Sequence, residues 1–69
     1  MRQWLVDIRK QAGLKQRDVA ERAGISQPFY SAIETGKRGN PLKVVYARAI
    51  AAALGFSWEK FYEEGVSDQ

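Results

Sequence analysis

The chain has 69 residues, enough for one domain, with 11 Lys and Arg against 8 Asp and Glu and a formal charge of +3. It contains no cysteine and no histidine, which excludes disulfides, zinc fingers and thiol or imidazole catalysis. Apolar residues make up 45%, so a small core can form, yet a chain this short buries only about 60% of its unfolded surface and needs dense packing, good caps or a partner.

Helical periodicity runs throughout, and no stretch alternates long enough to read as a strand. The first predicted helix spans Arg2 to Ala12, with Trp4, Leu5, Ile8 and Ala12 on one face, and Gly13 ends it. The second spans Gln16 to Ala23, with Val19, Ala20 and Ala23 inward, and stops at Gly24. Lys15 stands where Ser, Thr, Asp or Asn would cap. That end is expected either to fray or to be completed by a ligand such as a phosphate. The third helix follows the N-cap Ser26 and runs to Thr35, with Pro28 in its first turn and Gly36 as its stop. The fourth is expected to open at Asn40-Pro41, cap and first residue, and to end at Leu54 before Gly55. Its inner stripe is Val44, Ala47, Ile50, Ala51 and Leu54. The fifth runs from the cap Ser57 through Trp58 to about Glu64. Leu14 with Val19, Ile25 with Tyr30, and Phe56 with Phe61 have hydrophobic-staple spacing. Lys37-Arg38-Gly39-Asn40 reads as the flexible connection. Residues 1–65 form one all-α domain, and 66–69 read as a short disordered tail.

The charge is unevenly placed. Residues 1–58 hold ten basic and four acidic side chains, +6, whereas 59–69 hold one and four, −3. A basic body with an acidic end fits a polyanion-binding surface. The segment after Met1 is interrupted by Asp7, Arg9 and Lys10, so it does not read as a signal-peptide core. The run Ala49 to Phe56 is too short to span a bilayer, and a cytoplasmic location without membrane association is expected. No phosphate-binding glycine loop, metal-ligand set or paired carboxylates appear, so neither enzymatic activity nor a cofactor is expected.

Residues 16 to 35 read as two short helices joined by a tight turn. Ala20, fifth from Gln16, is small where the helices cross. Gly24, ninth, permits the positive φ that turns the chain in about three residues. Val19, Ala23, Ile25, Tyr30 and Ile33 fill the apolar positions of a helix-turn-helix. With that spacing, LKQRDVAERAGISQPFYSAIETGKR and ALGFSWEKFYEE resemble the Xre/phage-repressor-like (Cro-like) helix-turn-helix regulators over about Trp4 to Glu64.

The resemblance implies a compact five-helix domain of the lambda-repressor-like type, with helices two and three as the motif. It implies a sequence-specific double-stranded DNA-binding regulator, acting as a repressor and reading the major groove with the third helix. By the same resemblance Gln27 is the base-reading glutamine, able to bond adenine N6 and N7 together. Ser31 lies one turn on. Pro28 and Ala32 stand where many relatives carry polar base readers, so they offer only contact with thymine methyls, and DNA shape gains weight. Gln16 matches a phosphate-gripping glutamine that buttresses Gln27. Thr35, Lys37 and Arg38 match the backbone-contacting end of the recognition helix, joined by the nearby Lys15 and Arg17. Phe29 either touches DNA or packs locally. Arg9 and Glu34 match a structural ion pair between the first and third helices. The connection after Arg38 looks longer than in many relatives.

The fourth helix is apolar around most of its girth, as a helix buried on two sides or facing a partner would be. Leu42, Val45, Tyr46, Trp58, Phe61 and Tyr62 are the candidates for a two-fold homodimer interface on a palindromic operator; otherwise they complete the monomer core. A second functional class is an antitoxin-type interaction module that also binds its own promoter DNA, its partner being a toxin or another regulator.

Overall fold

The structure is a computed structural model and describes residues 1–63. Four α-helices follow one another: α1 Gln3–Gln11, α2 Gln16–Ala23, α3 Gln27–Thr35 and α4 Val44–Leu54. A short 3-10 helix, Trp58–Tyr62, closes the described chain. The expected fifth α-helix is thus replaced by a tighter coil, and its expected end at Glu64 lies outside the described residues, as does the tail 66–69. Five residues close at most one or two α-type bonds, so packing decides the winding. Here Lys60 N–H donates to Ser57 O at 3.1 Å and Glu63 N–H to Lys60 O at 3.3 Å. Three residues per turn aligns Trp58 with Phe61. Phe61 enters the core edge-on to Trp4, with ring centroids 5.1 Å apart. The Tyr62 hydroxyl donates to Leu42 O.

α4 also starts later than expected. Lys43 holds its N-cap position, and the Asn40–Pro41 peptide is cis and lies in a turn. Asn40 cannot cap α4 because its side chain is used upstream. Its Nδ2 donates to Gly36 O at 2.7 Å, and its Oδ1 accepts from Arg2 Nη2 at 3.1 Å. The connection expected to be flexible is therefore held by side chains at several backbone oxygens.

The core gathers Leu5 from α1, Val19 and Ala20 from α2, Tyr30 and Ile33 from α3, Ala47 and Ile50 from α4, together with Leu42 and Phe61. α4 packs across α2 and supports the 3-10 helix, while α2 crosses α3 and α1 touches α3. The staple residues Leu14, Ile25 and Phe56 pack against this cluster from its edge. Two residues of the predicted inner stripes are exposed, Ala12 at the C-terminal end of α1 and Val44 at the start of α4. No helix among the described residues is long and apolar enough to cross a membrane.

The α2–α3 turn depends on Gly24, which has φ +72°. That conformation lets Ile25 N–H reach Ala20 O at 3.0 Å and close the end of α2. An added Cβ would meet nothing within 4 Å, so the constraint is the backbone and not space. Gly24→Ala is expected to lower stability by about 1–2 kcal/mol. Urea denaturation measures this, and an unchanged midpoint would refute the requirement. At the start of α2, Lys15 contributes no side-chain cap. The Asp18 carboxylate accepts the Lys15 N–H at 2.9 Å, half of a capping box.

Candidate nucleic-acid interface

α3 is organised by two constraints. At its start, Ser26 Oγ accepts the Phe29 N–H at 3.2 Å, and Pro28 sits in the first turn. Along its length, Tyr30, Ile33 and Glu34 are buried against the body. The other side of the helix therefore carries Gln27, Pro28, Ser31, Ala32 and Thr35. Gln27, Pro28 and Thr35 are exposed; Ser31 and Ala32 are half-buried. The four residues expected to read bases thus share one outward face. Thr35 lies at its end, but its Oγ1 donates to Ala32 O at 3.1 Å, so its proton is already engaged.

Cations flank this face. Lys15 and Arg17 are exposed at the start of α2, and Lys37 and Arg38 are exposed after α3. A groove of about 740 Å³ runs between α3 and α4. Phe29, Ala32, Leu42 and Tyr46 line it, and the charged residues of its lining are Arg38 and Lys43, both positive. Phe29 packs locally: its ring meets Tyr46 edge-on at 5.0 Å, and the Arg38 guanidinium lies 5.4 Å from its centroid. The ring therefore holds Arg38 beside the outward face.

Behind the face lies a buried polar network around Glu34, which is 2% exposed. Arg9 approaches with both forks, Nε to Oε2 at 2.6 Å and Nη2 to Oε1 at 3.3 Å. Gln16 Nε2 donates to Oε1 at 2.8 Å, and the Tyr30 hydroxyl donates to Oε2 at 2.7 Å. Arg9 Nη1 also donates to Leu14 O at 3.0 Å. One carboxylate thereby joins α1, the start of α2, and α3. Burial alone would push the Glu34 pKa up, but hydrogen bonds from Arg9, Tyr30 and Gln16 outweigh it and hold the carboxyl below its ordinary value. Burial, then the bond to Glu34, pushes the Tyr30 phenol up. The bond to Glu34 raises Arg9, against the effect of its own burial.

The molecule thus presents a helix-turn-helix with an outward face, exposed cations beside it and an ion pair at its back. A family model described as helix-turn-helix matches residues 5–61. The chain belongs to the Xre/phage-repressor-like helix-turn-helix family. It is a DNA-binding transcriptional regulator of that family. An uncharacterized HTH-type transcriptional regulator, YqaF of Bacillus subtilis, is 39% identical over 64 residues, 93% of this chain and 82% of its own length. A second, y4dJ of Sinorhizobium fredii, is 38% identical over 50 residues, 72% of this chain and 62% of its own length. No solved structure matches.

The dimer candidates separate in this regulator. Leu42 and Phe61 are buried in the core cluster, 5% and 4% exposed. They do not offer surface to a partner. Val45, at 65%, and Tyr62, at 38%, are exposed, while Tyr46 and Trp58 are half-buried. Two contributors were not apparent as site residues. The Tyr30 hydroxyl joins the network, which its i, i+4 spacing to Glu34 could have indicated. Arg2 is buried against the end of α3, and no local pattern marks it.

Proposed function

We propose that this regulator is a repressor that reads the major groove of double-stranded DNA with the outward face of α3. The carrying observation is that Gln27, Pro28, Ser31 and Ala32 lie together on that face while Tyr30, Ile33 and Glu34 anchor its back. Gln27 bonds an adenine edge, Ser31 reads a neighbouring position, and Pro28 and Ala32 meet thymine methyls. Lys15, Arg17, Lys37 and Arg38 contact phosphates and set the register. Gln16 has one amide N–H engaged by Glu34. Its second N–H remains for a phosphate and its carbonyl oxygen for Gln27. Occupying a promoter is enough to exclude a polymerase, so this surface suffices for repression.

Two copies bind a palindromic operator with half-sites about 34 Å apart. Val45 and Tyr62, with the half-buried Tyr46 and Trp58, are the surface that supports pairing. Monomers alone in sedimentation, with and without DNA, would overturn the dimer. Selection of bound sites from random duplex DNA tests the reading itself. An enriched palindrome is expected. Gln27→Ala should lose about 1–3 kcal/mol of discrimination at one position per half-site. Lys37→Ala should weaken all sequences about equally. Recovery of no preferred sequence by the wild type would overturn the assignment.

A further inference from the structure

We infer that Arg2 is a positioning residue for DNA binding: its guanidinium holds the loop of Lys37 to Asn40 where the loop's cations meet the DNA backbone. The inference rests on the proposed DNA-reading surface and adds a residue well outside the motif. Arg2 is only 5% exposed. Nη1 donates to Ile33 O at 2.6 Å and to Arg38 O at 3.1 Å. Nη2 donates to Gly39 O at 2.5 Å and to Asn40 Oδ1 at 3.1 Å. Its backbone N–H donates to Glu34 O at 2.7 Å.

These bonds connect the last turn of α3 to the loop that follows. The carbonyls of a helix's final turn lack intrahelical donors; Arg2 supplies one at Glu34 and a second at Ile33, beside the Gly36 N–H. A cation there also complements the negative end of the helix. The same planar group then reaches three oxygens beyond the helix. Arg38 is held at three points, one of them by Arg2. Its N–H donates to Ala32 O at 3.2 Å, its carbonyl accepts from Arg2, and its side chain lies on Phe29. Eight residues, 36 to 43, separate α3 from α4. Without the fork, their carbonyls would turn to water and Arg38 would sample many positions. A lysine keeps the charge but lacks the flat fork that spans four oxygens.

The test compares wild type with Arg2→Lys, and with Asn40→Ala should the lysine variant fail to fold. Binding to the selected operator duplex is followed by fluorescence anisotropy across a salt series. Exchange of the amides from Lys37 to Asn40 is followed by NMR. With circular dichroism unchanged, the slope of log affinity against log salt should become shallower by about one per copy, with base preference intact. Loop amides should exchange at least about ten-fold faster while core amides stay protected. In a Lys37→Ala/Arg38→Ala background, Arg2→Lys should change the slope no further, which a general loss of stability would not reproduce. A folded variant with wild-type slope and loop exchange overturns the inference. If the wild type binds no DNA, the functional reading fails, and the exchange data separately decide whether Arg2 orders the loop.

Discussion

Glu34→Ala is expected to destabilise the domain by about 3–5 kcal/mol, enough to unfold most of a chain this small. The carboxylate receives four hydrogen bonds from Arg9, Gln16 and Tyr30, and it is nearly inaccessible to water. Alanine would leave the Arg9 guanidinium largely buried beside a cavity and the Tyr30 hydroxyl without its acceptor. Glu34→Gln keeps the shape and removes the charge, so its cost should be smaller. Denaturation at several pH values distinguishes the two effects. The folded pKa of Glu34 lies below its unfolded value, so the unfolded chain binds the proton more readily. Stability from this group is therefore fully present above the unfolded value, near 4.5, and is lost as pH falls through the folded value. The wild type should lose stability in that acid window, and Glu34→Gln should lose less. Equal acid slopes in the two proteins would show that the network does not depend on the charge.

Raising salt from about 50 to about 200 mM is expected to weaken operator binding by about a thousand-fold, the lower end for some six phosphate contacts. The count follows from which cations are available. Arg9 is committed to Glu34, and Arg2 to the loop carbonyls. Lys15, Arg17, Lys37 and Arg38 are exposed around the outward face of α3, and about three contacts from each copy of the proposed dimer is a modest use of them. Each phosphate contact releases a condensed counterion, which makes the dependence steep. Titration of a labelled operator duplex across a salt series measures it. A nearly flat dependence would contradict a backbone-anchored complex. Lys37→Ala should reduce the slope by about one in each copy.

Much of the fold was legible because its signals are local. Gly24 and Gly36 mark helix ends through backbone conformation, and Ser26 marks a start through a hydrogen bond three residues away. Two local readings gave way to distant partners. Asn40-Pro41 reads as a helix start, but the Asn40 side chain bonds Gly36 and Arg2 instead. Trp58 to about Glu64 reads as a helix, but over Trp58–Tyr62 the coil is 3-10, with Phe61 against Trp4 and the Tyr62 hydroxyl bonded to Leu42. The outward face of α3 could be read from periodicity. The burial of Leu42 and Phe61 could not, because an apolar residue does not state whether its own core or a second copy covers it.

The opening counts of charge and residue type already excluded disulfide and histidine chemistry, and the spacing from Gln16 to Gly36 by itself determined the helix-turn-helix. Composition and three- or four-residue spacings are properties of the chain before it folds. The positions of the charges were decided only by tertiary structure. Of the basic body's ten cations, Arg9 and Arg2 turn inward, 25 and more than 30 residues from their partners. Lys37 and Arg38 stay outside. Such long-range pairings depend on how α1 lies against α3, which no local pattern encodes. They separate the cations that turn into the body from those that stay on its surface.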